Sequence, residues 1–167
     1  MEFQEEQRIS VMWMRILFLI IIIGSLAGVL LGGMNSGHEP QISDYLGAVF
    51  CVAIVSLVYY MVFYTTLKTS VSMMGFAYAY FPFVWREKTI TKEMIKSWQM
   101  QTMKSGFQYG GYGIKQSYFP KKTAFMMGSR NAVEFKLHDG KTLIFTTNNP
   151  EQLQLALRKY FSQTEIR

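Results

Sequence analysis

The chain has 167 residues and a formal net charge of +6, half of its residues are hydrophobic, and 16% are aromatic. A single cysteine, Cys51, excludes an intrachain disulfide framework. The mean hydropathy of +0.11 averages two unlike parts, because apolar residues crowd the first 67 positions and the remainder has the size of one ordinary domain.

The opening segment MEFQEEQR is acidic and leads into VMWMRILFLIIIIGSLAGVLL, residues 11–31, where Arg15 is the only charge. A second apolar stretch at 45–67, YLGAVFCVAIVSLVYYMVFYTTL, has none. Roughly 20 apolar residues cross the ~30 Å hydrocarbon core of a bilayer, so both stretches read as spans of a transmembrane hairpin. A cleaved signal peptide fits the first poorly, since its leading segment is basic and its apolar run is about 7–15 residues. The connecting segment 32–44 carries Glu39 and Asp44 but no Lys or Arg, whereas Arg8 and Arg15 flank the first stretch and Lys68, Arg86, Lys88 and Lys92 follow the second. Basic flanks mark the cytoplasmic side, so both termini are expected there, at the inner membrane. Trp13, Tyr59, Tyr60 and Tyr64 suit an interfacial aromatic belt. Small residues Gly24, Gly28 and Gly32 on the first stretch and Gly47, Ala48 and Cys51 on the second permit close helix packing, either within one chain or as the seam of a homo-oligomer.

From Lys68 onward there are 15 basic and 6 acidic residues, against 2 and 5 before it. Residues 68–167 are therefore the basic domain. Anionic lipid headgroups next to such a domain attract each Lys or Arg by roughly 1 kcal/mol, which favours lipid over nucleic acid as its partner. Its strands are predicted as a meander: 69–74, 76–83 with alternating rings in FAYAYFPF, 84–90, 96–103, 123–127, 132–137 and 141–146, with a helical turn at 91–95. Asp139-Gly140 predicts a two-residue type I′ hairpin turn. Asn149 as a cap, Pro150 at the first helical position and Gln152 in a capping box then open a helix with Leu153, Ala156, Leu157 and Tyr160 on one face. About seven short strands closed by one helix form the pleckstrin-homology (PH) arrangement, a split β-barrel.

FQEEQR at 3–8, SMMGFAYAYFPF at 72–83, ITKEMIKS at 90–97, YGGYGI at 109–114 and VEFKLHDGKTLIFTTNNPEQLQLAL at 133–157 carry a resemblance. In that order and spacing the chain resembles small bacterial two-span membrane proteins with a C-terminal bacterial PH-like domain. The resemblance implies an α+β fold and a membrane address, and it implies no reaction, ligand or cofactor.

Candidate chemistry is sparse. His38 and His138 have no Cys, His or carboxylate at metal-ligand spacing, and no nucleophile elbow or phosphate loop occurs. Glu134 and Asp139 flank one strand without forming a carboxylate pair. The methionine pairs 73–74 and 126–127 present their sulfurs to opposite faces if they lie in strands, which suits core filling rather than copper. The best binding candidate is the glycine-rich loop at 106–113. Tyr109, Gly110, Gly111, Tyr112 and Gly113 offer free backbone N–H groups and amphipathic rings, and Lys104, Lys115, Lys121 and Lys122 lie close in sequence to surround them, while Arg130, after Gly128-Ser129, either grips a phosphate or caps a turn. The alternative is a structural turn whose tyrosines pack on the domain. The expectation is a non-enzymatic module that binds anionic headgroups or a protein partner at the membrane, or alternatively a homo-oligomeric scaffold, with no cofactor, metal or nucleic acid.

Overall fold

A computed structural model of the chain describes residues 3–8, 12–35, 42–103, 112–118 and 121–162. It divides into two compact units, Met1–Ile9 together with Thr65–Arg167, and Ser10–Tyr64.

The first unit begins with β1 (Phe3–Arg8), which pairs antiparallel with β2 (Thr66–Ser72), from Phe3 opposite Val71 to Arg8 opposite Thr66. Strands β3 (Gly75–Phe81) and β4 (Val84–Thr91) complete a four-stranded antiparallel sheet in the order β1-β2-β3-β4. After a 3-10 turn at Lys92–Met94, β5 (Ile95–Thr102), β6 (Tyr112–Ser117), β7 (Lys122–Met127), β8 (Asn131–Leu137) and β9 (Thr142–Thr147) build a second sheet in the order β5-β8-β9-β7-β6. Strand β9 lies between β8 and β7 and runs parallel to β7, so this sheet is not a meander.

The sheets meet through rings. Phe76 of β3 contacts Phe135 and Phe145 at 4.7 and 4.9 Å between centroids, Tyr78 contacts Phe145 and Phe125, and Tyr80 reaches Phe125 and donates a 3.4 Å hydrogen bond to the Met126 carbonyl. Advancing along β3 therefore crosses the second sheet from β8 through β9 to β7, an arrangement of crossed rather than aligned strands. Each tilted ring pair adds about 0.5–1.5 kcal/mol beyond its buried area.

The architecture corrects the expected one. A transmembrane hairpin followed by a seven-stranded PH-like barrel is replaced by a sandwich of two sheets, four and five strands, whose first strand precedes the helices. The acidic opening segment belongs to this core because Phe3, Glu5 and Gln7 alternate inward while Gln4, Glu6 and Arg8 point outward. Gln7, 2% exposed, donates from Nε2 to the Thr146 carbonyl at 2.6 Å and accepts from the Thr146 hydroxyl at 3.3 Å. Glu5 accepts from the Thr147 hydroxyl at 2.7 Å and from the Asn148 N–H at 2.8 Å. Two inward polar side chains thus tie β1 across to the end of β9.

Helix α3 (Pro150–Phe161) buries Leu153, Ala156, Leu157 and Phe161, the last in place of the expected Tyr160. Its C-terminal carbonyl at Phe161 accepts from Trp98 Nε1 at 3.0 Å. The Asn149 side chain makes no cap, and so no capping box forms; Thr147 and Glu5 hold the entry instead. The turn before β9 also differs. Asp139 does not have the positive φ that a type I′ turn needs, because among the described residues only glycines do; Gly140 sits at +80° in a three-residue loop between Leu137 and Lys141. Asp139 uses its carboxylate to accept from the Lys141 N–H at 3.0 Å and to pair with the Lys141 ammonium at 2.7 Å.

The second unit consists of α1 (Met12–Asn35) and α2 (Ile42–Phe63). Phe18 meets Tyr59 and Phe63 at 5.7 and 5.8 Å, and the Arg15 guanidinium lies over the Phe63 ring at 5.4 Å. Among the described residues one helical segment, Tyr45–Phe63, is long and apolar enough to cross a membrane, while the apolar part of α1 is the shorter Arg15–Ser25. Eleven residues of helix rise only about 17 Å, well under the ~30 Å hydrocarbon core, so the expected two-span, multi-pass description is not supported.

Two outcomes test the core. Gln7→Ala strands buried partners in Thr146 and should lower stability by about 1–3 kcal/mol in urea unfolding; an unchanged midpoint would show that the clamp does not hold β1. Burial pushes the Tyr80 hydroxyl up to about 12 and raises Tyr78 as well. Since an unfolded tyrosine titrates near ~10, stability should hold to about pH 10 and fall by up to about 2–3 kcal/mol between about pH 10 and 12. Tyr80→Phe should show a shallower alkaline decline, and equal slopes would contradict this.

Candidate functional site

The β6–β7 hairpin carries most of the described lysine candidates. Ser117 pairs with Lys122 and Lys115 with Ala124 across it, and Lys122 and Lys136 both pair with Thr142 of the intervening β9. Strand alternation puts Lys115, Lys122 and Lys136 on the face opposite Phe125 and Phe135, the outer face of the second sheet. Lys121 precedes β7 and its carbonyl accepts the Thr142 N–H at 2.9 Å. Lys122 and Lys136 are two strand spacings apart, about 10 Å. At that separation like charges reinforce one potential only in part, whereas Lys115 lies on the adjoining strand opposite Ala124, two residues along from Lys122, and Lys121 acts on the Asp139 carboxylate.

The remaining candidates are distributed differently. Tyr109, Gly110, Gly111 and Lys104 lie outside the described residues, as does His38. Tyr112 and Gly113, expected in the loop, are the first two residues of β6. The Tyr112 ring covers Gly128, where an added Cβ would come within 2.8 Å of it and where φ is +82°. That places Tyr112 in a structural contact, ring over glycine. Arg130 precedes β8, and its carbonyl accepts from the Met103 N–H at 2.8 Å. Six residues along the strand, about 20 Å, separate it from Lys136, so it does not join the lysine group.

Strand β3 shows which side of the sandwich the hairpin occupies. Its rings pass Phe135, Phe145 and Phe125 in turn, and the Tyr80 hydroxyl lies by the backbone of Gly113 in β6. The β6–β7 edge is therefore on the side toward which β3 runs as it approaches Phe81. Phe81 pairs with Thr66, and Thr66 with Arg8, so on this side the chain also leaves the sandwich and returns to it.

Other clusters hold less chemistry. Among the described residues no group of three or more His, Cys, Asp or Glu is placed to hold a metal ion. Glu134 is buried on the outer face, where Gln99 donates to it at 3.5 Å, while Asp139 lies in the exposed turn with Lys141 holding its carboxyl below the ordinary range. Met126 and Met127 are buried as expected, but Met73 and Met74 occupy the β2–β3 turn and are exposed. A groove of about 420 Å³ on the outer face of the first sheet is lined by Gln4, Glu6, Lys68, Ser70, Ala79 and Glu87. Within it Glu6 pairs with Lys68 at 3.3 Å and also with Arg8 at 2.6 Å, and the Arg8 hydrogen bond lowers the Glu6 carboxyl.

The glycine stripe does not make the expected intrachain seam at the positions described. A Cβ built at Gly24, Gly28 or Gly47 meets nothing within 4 Å, and Cys51 is exposed; the surroundings of Gly32, like the side chains of Trp13 and Ala48, are outside the described part. The helices meet instead through Phe18, Tyr59 and Phe63. Sequence inspection missed the inward roles of Glu5 and Gln7, for which the period-two alternation of FQEEQR was the available signal.

The chain matches no family model, no curated protein and no solved structure. Because a Cβ at Gly28 meets nothing within 4 Å among the described residues, Gly28→Ile should leave helix content and thermal unfolding in detergent unchanged. Loss of either would restore close packing at the stripe, and a change in particle size on sizing chromatography would locate a contact between copies there.

Proposed function

We propose that this chain is a membrane-held binding module with no catalytic role, in which the apolar Ser10–Tyr64 unit keeps a basic β-sandwich at the cytoplasmic face of a bilayer. The observation that carries the reading is the exposure of large apolar side chains on both helices: Ile20 and Ile23 on α1, Leu46 and Phe50 on α2, each more than 60% exposed. Leaving such a side chain in water forfeits about 1.5–3 kcal/mol of burial, and acyl chains recover it. Basic residues Arg8, Arg15 and Lys68 flank the unit, which supports the cytoplasmic side.

Lys115, Lys121 and Lys122 are the residues offered to anionic headgroups. They contribute roughly 1 kcal/mol each next to a negative leaflet, and the covalent attachment supplies a millimolar effective concentration, so weak individual contacts suffice. The open surface at Gly24, Gly28 and Gly47 favours a second reading, a scaffold assembled from copies of this chain.

The full chain, reconstituted into bilayers, should show slower amine labelling of Lys121 and Lys122 when the lipid is anionic than when it is zwitterionic. Salt at about 1 M, where the Debye length is about 3 Å, should remove the difference. Equal labelling in both lipids would defeat the headgroup reading.

A further inference from the structure

We infer that the tip of the β3–β4 hairpin, Phe81, Phe83 and Trp85, docks into the interfacial layer of a bilayer. The inference rests on the membrane reading above and assigns it a second, aromatic contact. Trp85 is 75% exposed and Phe83 is 59% exposed, and Phe81 stacks on Trp85 with ring centroids 5.5 Å apart and planes 28° from parallel. Phe81, half-buried, and Trp85 form one apolar pair, and the exposed Phe83 lies beside Tyr80 with centroids 6.2 Å apart, whereas Phe76, Tyr78 and Tyr80 of the same strand are all buried.

Register says what meets this patch. Phe81 pairs with Thr66, and Thr66 pairs with Arg8, so the tip stands at the end of the sheet where the chain departs after β1 and returns into β2. Two strand spacings, about 10 Å, separate β3 from β1. The chain enters and leaves the Ser10–Tyr64 unit within two residues of this end of the sheet, so a bilayer that takes up that unit is tethered at the end that carries the hairpin tip. Aromatic rings concentrate at the headgroup level, where a flat ring meets acyl carbon and headgroup together. Arg86, exposed and next to Trp85 in sequence, offers a guanidinium suited to phosphate, while Arg8 is held by Glu6 at 2.6 Å. Tyr118, 78% exposed in the turn after β6, adds a ring on the same side of the sandwich. The opposite end of the sheet supplies an internal contrast: Met73, 85% exposed, lies in the β2–β3 turn, about 20 Å from Phe81 along the strand.

The test uses the full chain in vesicles, with Cys51→Ser as background and a fluorescent thiol probe at Phe83→Cys or at Met73→Cys. The probe at 83 should be quenched by acyl-brominated lipid and shielded several-fold from aqueous iodide, and the probe at 73 should show the reverse. Equal iodide access at the two sites, in chains that stay with the vesicles through an alkaline wash, overturns the docking and leaves the membrane reading standing. Shielding at 83 without quenching by brominated lipid, growing with protein-to-lipid ratio, assigns the patch to a second copy and also overturns it. Release of the chain in the alkaline wash overturns both readings. An unlabelled Trp13→Phe chain, whose emission comes from Trp85 and the buried Trp98, gives a check that leaves the hairpin intact: brominated lipid should quench the exposed component.

Discussion

The pairing of β1 with β2 is the constraint on which the rest of the structure depends. It joins residues on either side of a helical insertion and gives sheet hydrogen bonds to a strand, Phe3–Arg8, that has one large apolar side chain, Phe3. Six residues of strand have little burial to set against their lost conformational freedom of roughly 1–2 kcal/mol each, so additional ties are needed. Gln7 and Glu5 supply them by bonding Thr146, Thr147 and Asn148 at the far sheet. A buried amide without those partners would cost more than it contributes, and among the described residues no buried side-chain polar atom is left unpaired.

That closure determines the use of everything else. Because Arg8 and Thr66 are partners, the apolar unit is attached to the sandwich at two neighbouring points rather than at one end. The crossing of β3 over the second sheet carries Phe81 and the hairpin tip to the same side as the β6–β7 lysines. The β6–β7 edge and the aromatic tip are thereby brought to the same side of the sandwich by backbone register, although they are far apart in sequence. Binding in such a molecule is a matter of placement: weak electrostatic and interfacial contacts gain from attachment what they lack individually.

Much of the local structure was legible in the residues. The alternation in FAYAYFPF, the glycine after Asp139 and the helical spacing of Leu153 and Leu157 each reflect forces between near neighbours, and β3, the β8–β9 turn and α3 appear where they indicate. The turn type and the cap were not legible, because Asp139 and Asn149 found partners in Lys141 N–H and in the Thr147–Glu5 pair instead. Tyr112 looked like a ligand residue from its glycine neighbours and proved to cover Gly128, 16 positions away. Lys115 and Lys122 lie on adjoining strands, whereas Arg130 precedes β8 at the opposite end from Lys136.

By itself the sequence determined the segregation of apolar and basic residues, the strand and helix periods, and the absence of a disulfide, because composition and periodicity are properties of the chain taken in order. Only the tertiary structure decided that the acidic opening is a core strand, that β9 inserts beside β7, and that two crossed sheets replace one barrel. Those outcomes rest on hydrogen bonds and ring contacts between residues as far apart as Gln7 and Thr146, and no local pattern encodes which distant partner a polar side chain will meet.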